Sequence, residues 1–176
     1  VDSVFGGDTT TIRMYYNNSS AADSSRPELV FDTDNGFAGV WHLNESGDGT
    51  TDEFKDATAN GNDLTGGSGT ASKTPSVTGG VCGKAQDFDG SDDHILRAAG
   101  ASLLPATDLT VSAWVYLETL PTAGSENDHA ITVHMTADPW QAYSLYFLGN
   151  DHNRIRCSRA GSTKSTQTST ATDTAI

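Results

Sequence analysis

The chain has 176 residues, enough for one ordinary domain with a sizeable core, or for one domain preceded by a short appendage. Its 35% hydrophobic and 8% aromatic content, with 18 glycines, describes a folded but loop-heavy protein that is too aromatic to be disordered. A net charge of -13 and a pI near 4.4 argue against a nucleic-acid backbone or an anionic lipid surface as partner, since both need clustered Lys and Arg, and leave cations and neutral ligands.

In chain order, the opening VDSVFGGDTT has neither a basic region nor an apolar run, and no stretch of 18 apolar residues follows, so neither a signal peptide nor a membrane span is visible. Short segments rich in β-branched and aromatic residues recur between clusters of Gly, Asp, Asn and Ser, which predicts an all-β chain. The predicted strands are Thr10–Tyr16, Ala38–Leu43, Ala85–Phe88, His94–Arg97, Leu109–Leu117, Ala130–His134, Ala142–Leu148 and Arg154–Ser158. Eight short strands suit an antiparallel sandwich. A single helical turn is expected at Ser24-Ser25, with Pro27 in its first positions. Residues 44–80 read as a long, Gly-rich, nearly core-free loop. In LTVSAWVYL an aliphatic face (Leu109, Val111, Ala113, Val115, Leu117) alternates with one carrying Trp114 and Tyr116. Those two rings either floor a concave ligand surface or lie under a neighbouring loop or sheet. The tail 161–176 reads as a linker or as a Thr-rich strand lacking its partner. Cys82 and Cys157 lack CxxC spacing, and are either one long-range disulfide or two separate buried thiols.

The stretch QDFDGSDDH, residues 86–94, predicts a hairpin whose turn is Asp89-Gly90-Ser91-Asp92. It lacks the spacing of an EF-hand, as does Asp32-Thr33-Asp34-Asn35, so any calcium site must be assembled from separate loops. DATANGND offers further hard oxygens from Asp56, Asn60, Asn62 and Asp63. The competing role for all of these is an Asx-turn bonded to its own backbone.

With GVWHLNE, DATANGNDLT, GKAQDFDGSDDHI and LTVSAWVYL in this order, residues 37–160 resemble the laminin-G-like, concanavalin A-like jelly-roll family of secreted bacterial proteins. The resemblance implies an all-β antiparallel β-sandwich of jelly-roll type over 37–176, and a lead-in over 1–36 similar to the end of a small envelope-associated β-domain. Complete members continue with further strands, so it also implies a C-terminally incomplete module. Members often bind calcium at the sandwich rim; carried over, the Ca2+ ligands are Asp56, Asn62 and Asp93.

A glycosidase of this architecture would carry an E-x-D-x-E strand, which is not present, and the five histidines are scattered with no Ser or Cys in a GxSxG context. The sequence reading is therefore not an enzyme. Trp140 and Tyr143, with Asp151 and Asn153, are the residues expected to stack on and hydrogen-bond a glycan at one rim, whereas Trp41, Phe88, Phe147 and Tyr146 are expected to pack. The function expected is a secreted or cell-surface recognition module of bacterial or archaeal type, binding glycan or protein. The alternative is a structural domain of an envelope protein or filament that binds itself or its neighbours.

Overall fold

The computed structural model describes residues 16, 18–20, 25–98, 101–104, 108–119, 129–134, 143–147, 154–159 and 165–170. They are strand-rich and their sheets are antiparallel, with helix limited to one-turn pieces. The predicted strand Thr10–Tyr16 lies outside the described residues, apart from Tyr16.

The helical turn is present as α1, Pro27–Val30, with Pro27 at its first position and Phe31 N donating to Pro27 O at 2.8 Å. Arg26 rather than a serine stands at the N-cap and makes no side-chain cap. A 3-10 turn, Thr33–Asn35, follows; Asp32 caps it by accepting from Asp34 N at 2.9 Å. Phe31 meets Phe37 edge-on and His42 at a tilt, each at 5.5 Å between centroids, so the lead-in touches the first residues of the following segment.

Strand β1 (Thr65–Gly66) pairs with β4 (Ile95–Leu96), and β2 (Ser76–Gly79) pairs with β3 (Lys84–Asp87). The segment QDFDGSDDH is therefore not a hairpin. It leaves a ladder with β2 and enters a ladder with β1, linking two sheets. Strands β5 (His129–His134), β6 (Tyr143–Phe147), β7 (Arg154–Arg159) and β8 (Ser165–Thr170) form a four-stranded meander in that order. The Thr-rich tail thus supplies a strand, and its partner is β7.

Five further expectations are corrected. Ala38–Leu43 forms no strand; it is held by an isolated bridge between Trp41 and Asp56 and by Ala57 N donating to Val40 O at 2.8 Å. Leu109–Leu117 joins no ladder among the described residues, despite its alternation. The supposedly core-free stretch 44–80 contains the tightest burial described: Phe54 and Pro75 are fully buried, and Ala57, Thr58, Asn62, Gly66 and Gly67 are buried around them. Phe54 is fixed by a reciprocal pair of backbone bonds to Leu64 at 3.0 and 2.8 Å. Phe88, expected to pack, is exposed. Cys82 and Cys157 are free and both exposed, so neither the disulfide nor the buried-thiol reading holds.

Within the meander, His134 and Tyr143 are register partners and stack at 5.1 Å with an interplanar angle of 22°. His134 is buried and neither ring nitrogen has a hydrogen-bond partner. Burial therefore depresses its pKa, because the imidazolium would lose hydration without gaining an acceptor. Tyr146 and Arg156 are register partners on β6 and β7, and the Arg156 guanidinium lies over the Tyr146 ring at 5.4 Å.

The His134 stack sets a pH dependence. The unfolded chain takes up the proton at about pH 6.5, whereas the folded chain takes it up only at lower pH, so His134 weakens the fold as pH falls below about 6.5. Urea unfolding between pH 8 and pH 5 should show this loss, and His134→Phe should remove that component; an unchanged slope in the variant would place the effect elsewhere.

Candidate functional site

The carried-over metal ligands divide into two groups. Asp56 and Asn62 belong to one buried knot. Asp56 Oδ1 accepts from Val40 N at 3.0 Å and Thr58 N at 2.9 Å, while Oδ2 accepts from Thr58 Oγ1 at 2.8 Å and Asn62 N at 2.9 Å. Asn62, 1% exposed, donates through Nδ2 to Ala38 O at 2.7 Å; its Oδ1 accepts from Arg97 Nη1 and from Ser102 Oγ, and its backbone oxygen accepts from Trp41 Nε1 at 2.8 Å. Each side-chain oxygen of the pair is engaged by two protein donors, and on Asn62 Oδ1 one of the two is the Arg97 cation. The geometry is that of an Asx knot tying residues 38–41 and 56–62 to residues 97 and 102.

Asp93 stands instead with Asp89 and Asp92, where one oxygen from each lies within 4.8 Å of the others. These oxygens too have protein partners. Asp89 Oδ1 accepts from the amides of Ser91, Asp92 and Asp93 at 2.8, 3.3 and 3.4 Å, Asp93 Oδ2 accepts from Asp89 N at 3.0 Å, and Asp92 Oδ2 pairs with Lys73 Nζ at 3.2 Å. The Ser91 amide, with those of Asp92 and Asp93, holds the Asp89 carboxyl below the usual range. Exposed acidic groups of this kind are common without an ion, and the turn alone accounts for the arrangement.

Of the expected glycan-binding residues, Trp140, Asp151 and Asn153 lie outside the described residues. Tyr143 is half-buried with one face against His134, and burial pushes its phenol up. The aromatic surface that is displayed lies on LTVSAWVYL: Trp114 is 84% exposed and Tyr116 88%, against 39–46% for Leu109, Val111 and Val115. Exposure follows the alternation of the sequence, with the aliphatic set partly shielded and the aromatic set facing out.

A third arrangement, one that sequence reasoning missed, lies just past the end of β1 and just before the start of β4. Ser68 Oγ is 2.7 Å from His94 Nε2, and His94 Nδ1 is 2.8 Å from the carbonyl oxygen of Asp92. Ser68, though not His94, lines an open depression of about 360 Å3 together with Thr51, Asp52, Thr65, Leu96 and Arg97. No motif links positions 68 and 94 along the chain; only the β1–β4 register brings them together.

Asn62→Ala should destabilise the fold by about 2–3 kcal/mol, because it strands the partly buried Arg97 guanidinium and the Trp41 and Ala38 partners shift with it. Thermal unfolding with and without calcium measures this. The same loss is expected in both conditions; a loss seen only with calcium would make Asn62 a metal ligand. Comparison of the chain with protein-family models, with curated proteins and with solved structures found no match.

Proposed function

We propose that this chain is a secreted or cell-surface recognition and adhesion module of laminin-G-like, concanavalin A-like jelly-roll type, which binds glycan or protein through the face carrying Trp114 and Tyr116. The observation that carries the reading is the near-complete exposure of these two rings at alternate positions of one segment. Exposing such area to water is unfavourable unless a partner covers it, and the flat faces of indole and phenol match the apolar faces of sugar rings. The net charge of -13 supports a neutral ligand and is unsuited to an anionic polymer. Among the described residues no helix is long and apolar enough to cross a membrane.

A second reading is a structural domain that binds copies of itself or neighbouring envelope subunits. It is favoured by the same segment, because nine residues of strand pattern with no ladder among the described residues offer backbone donors and acceptors to another chain.

A glycan array read together with the oligomeric state separates the two. Binding to at least one glycan by a monomer, weakened about tenfold or more by Trp114→Ala and again by Tyr116→Ala, is the expected outcome. Ordered oligomers without any glycan signal would transfer the segment to the structural reading. The backbone bonds of Asp56 and Asp93 account for them without an ion, so added calcium should leave the unfolding midpoint unchanged; a rise abolished by Asp56→Ala and Asp93→Ala would restore a metal-ordered rim.

A further inference from the structure

The geometry points to a hydrolytic site separate from the aromatic face: Ser68, which lines the depression beside the β1–β4 ladder, and His94, bonded to it from behind that lining, form a nucleophile–base pair suited to small acyl esters. The inference goes beyond the recognition reading and does not depend on it.

The β1–β4 ladder continues past its last strand pair as Gly67 N donating to His94 O at 2.8 Å, which sets the next residue, Ser68, beside the imidazole. The tautomer follows from the partners. A backbone carbonyl can only accept, so the 2.8 Å contact to Asp92 O requires the hydrogen on Nδ1. Nε2 then presents its lone pair, and Ser68 Oγ–H donates to it at 2.7 Å. This is the order of nucleophile, base and orienting acceptor that acyl transfer needs, with a main-chain carbonyl in the orienting place.

The turn itself shows that shape alone does not call for serine. Gly69 N donates to Gly66 O at 2.9 Å, and the two central residues, Gly67 and Ser68, have φ of 55° and 54°. Positive φ at both centres is the mark of a type I′ turn, which favours Gly or Asn at each. Gly67 is also required sterically, since a Cβ there would come within 2.1 Å of Thr70 O. At position 68 a hydroxyl is held in a conformation that serine adopts rarely, as nucleophiles on tight turns are. Among the described residues three non-glycines have positive φ, and two of them, Asp52 and Ser68, line the depression.

An ester carbonyl in the depression would meet Ser68, which is exposed and reachable. Attack by Oγ forms the Oγ–C bond while the hydroxyl proton passes to Nε2. The oxyanion that develops has two sources of stabilisation: the Ser68 amide, which has no partner among the described residues, and Arg97, which lines the depression while its Nη1 is tethered to Asn62 Oδ1. Collapse breaks the bond to the alcohol oxygen, which takes the proton from Nε2 and leaves acyl-Ser68. Water then attacks the acyl carbon, gives a proton to Nε2, and releases the carboxylic acid as that proton returns to Ser68 Oγ. The net reaction is ester plus water to acid plus alcohol.

The test treats the whole chain with a fluorophosphonate probe, maps the adduct by peptide mass spectrometry, and follows hydrolysis of p-nitrophenyl acetate. We expect the adduct on Ser68 and a fall in turnover of about a hundredfold or more in two variants. Ser68→Gly removes the nucleophile and relieves the positive φ, so it keeps the fold. His94→Asn keeps a donor for the Asp92 carbonyl and removes the base. An unmodified Ser68, or turnover that survives Ser68→Gly, overturns the inference and leaves the Ser68–His94 bond as a fastening between two loops.

Discussion

The fold of residues 38–102 depends on one polar knot, the Asp56 carboxylate with the Asn62 amide. Asp56 satisfies four donors on two segments, and Asn62 reaches Ala38, Trp41, Arg97 and Ser102 from a position with almost no solvent. In low dielectric such bonds are strong when all are made and costly when one is missing, so the knot behaves as a unit. It takes a place that aliphatic side chains more often fill; the buried hydrophobic residues described are Phe54 and Ala57.

The same device recurs with other acids. Glu53 accepts from the amides of Asp48, Gly49 and Gly66 at 2.7–3.2 Å, tying the loop before it to β1, and Asp89 and Asp32 close turns in the same way. Much of the acidity that the composition displays is thus engaged in ordering backbone rather than offered to a ligand. Charge-assisted bonds to amides give these carboxylates a structural reason to be present, which a count of acids alone cannot reveal. That is why Asp56, Asn62 and Asp93 read from sequence as hard-oxygen ligands: the residue types that cradle calcium are also those that build Asx turns.

What was legible in the sequence follows the same division. Strands β3 to β7 appear within a residue or two of where β-branched and aromatic residues predicted them, because there the period-2 pattern is the structure. Strands β1 and β2 and the buried centre in 44–80 were not legible. They are made mostly of Gly, Thr, Ser and Asn with isolated apolar residues (Phe54, Ala57, Pro75, Val77), and beside their short ladders they are held by side-chain-to-backbone bonds that have no period. Ala38–Leu43 looked like a strand for its apolar content, yet its partners are the Asp56 carboxylate and the Ala57 amide rather than a neighbouring strand. The Ser68–His94 contact was invisible for a different reason. It spans 26 positions and exists only through the β1–β4 register.

That register also couples the knot to the depression. Arg97 follows directly on β4 and carries two duties: one Nη1 bond fixes Asn62, and the rest of the side chain borders the space beside Ser68. A guanidinium anchored at one end is a better-placed charge than a free surface lysine, because the position of its planar fork is set before anything binds. The knot therefore does more than order its own loops. By holding residues 97 and 102 against residue 62 it fixes the far end of β4, while the bonds from Gly67 N to His94 O and from His94 N to Lys73 O fix its near end and give the Gly-rich turn a defined partner for its one hydroxyl.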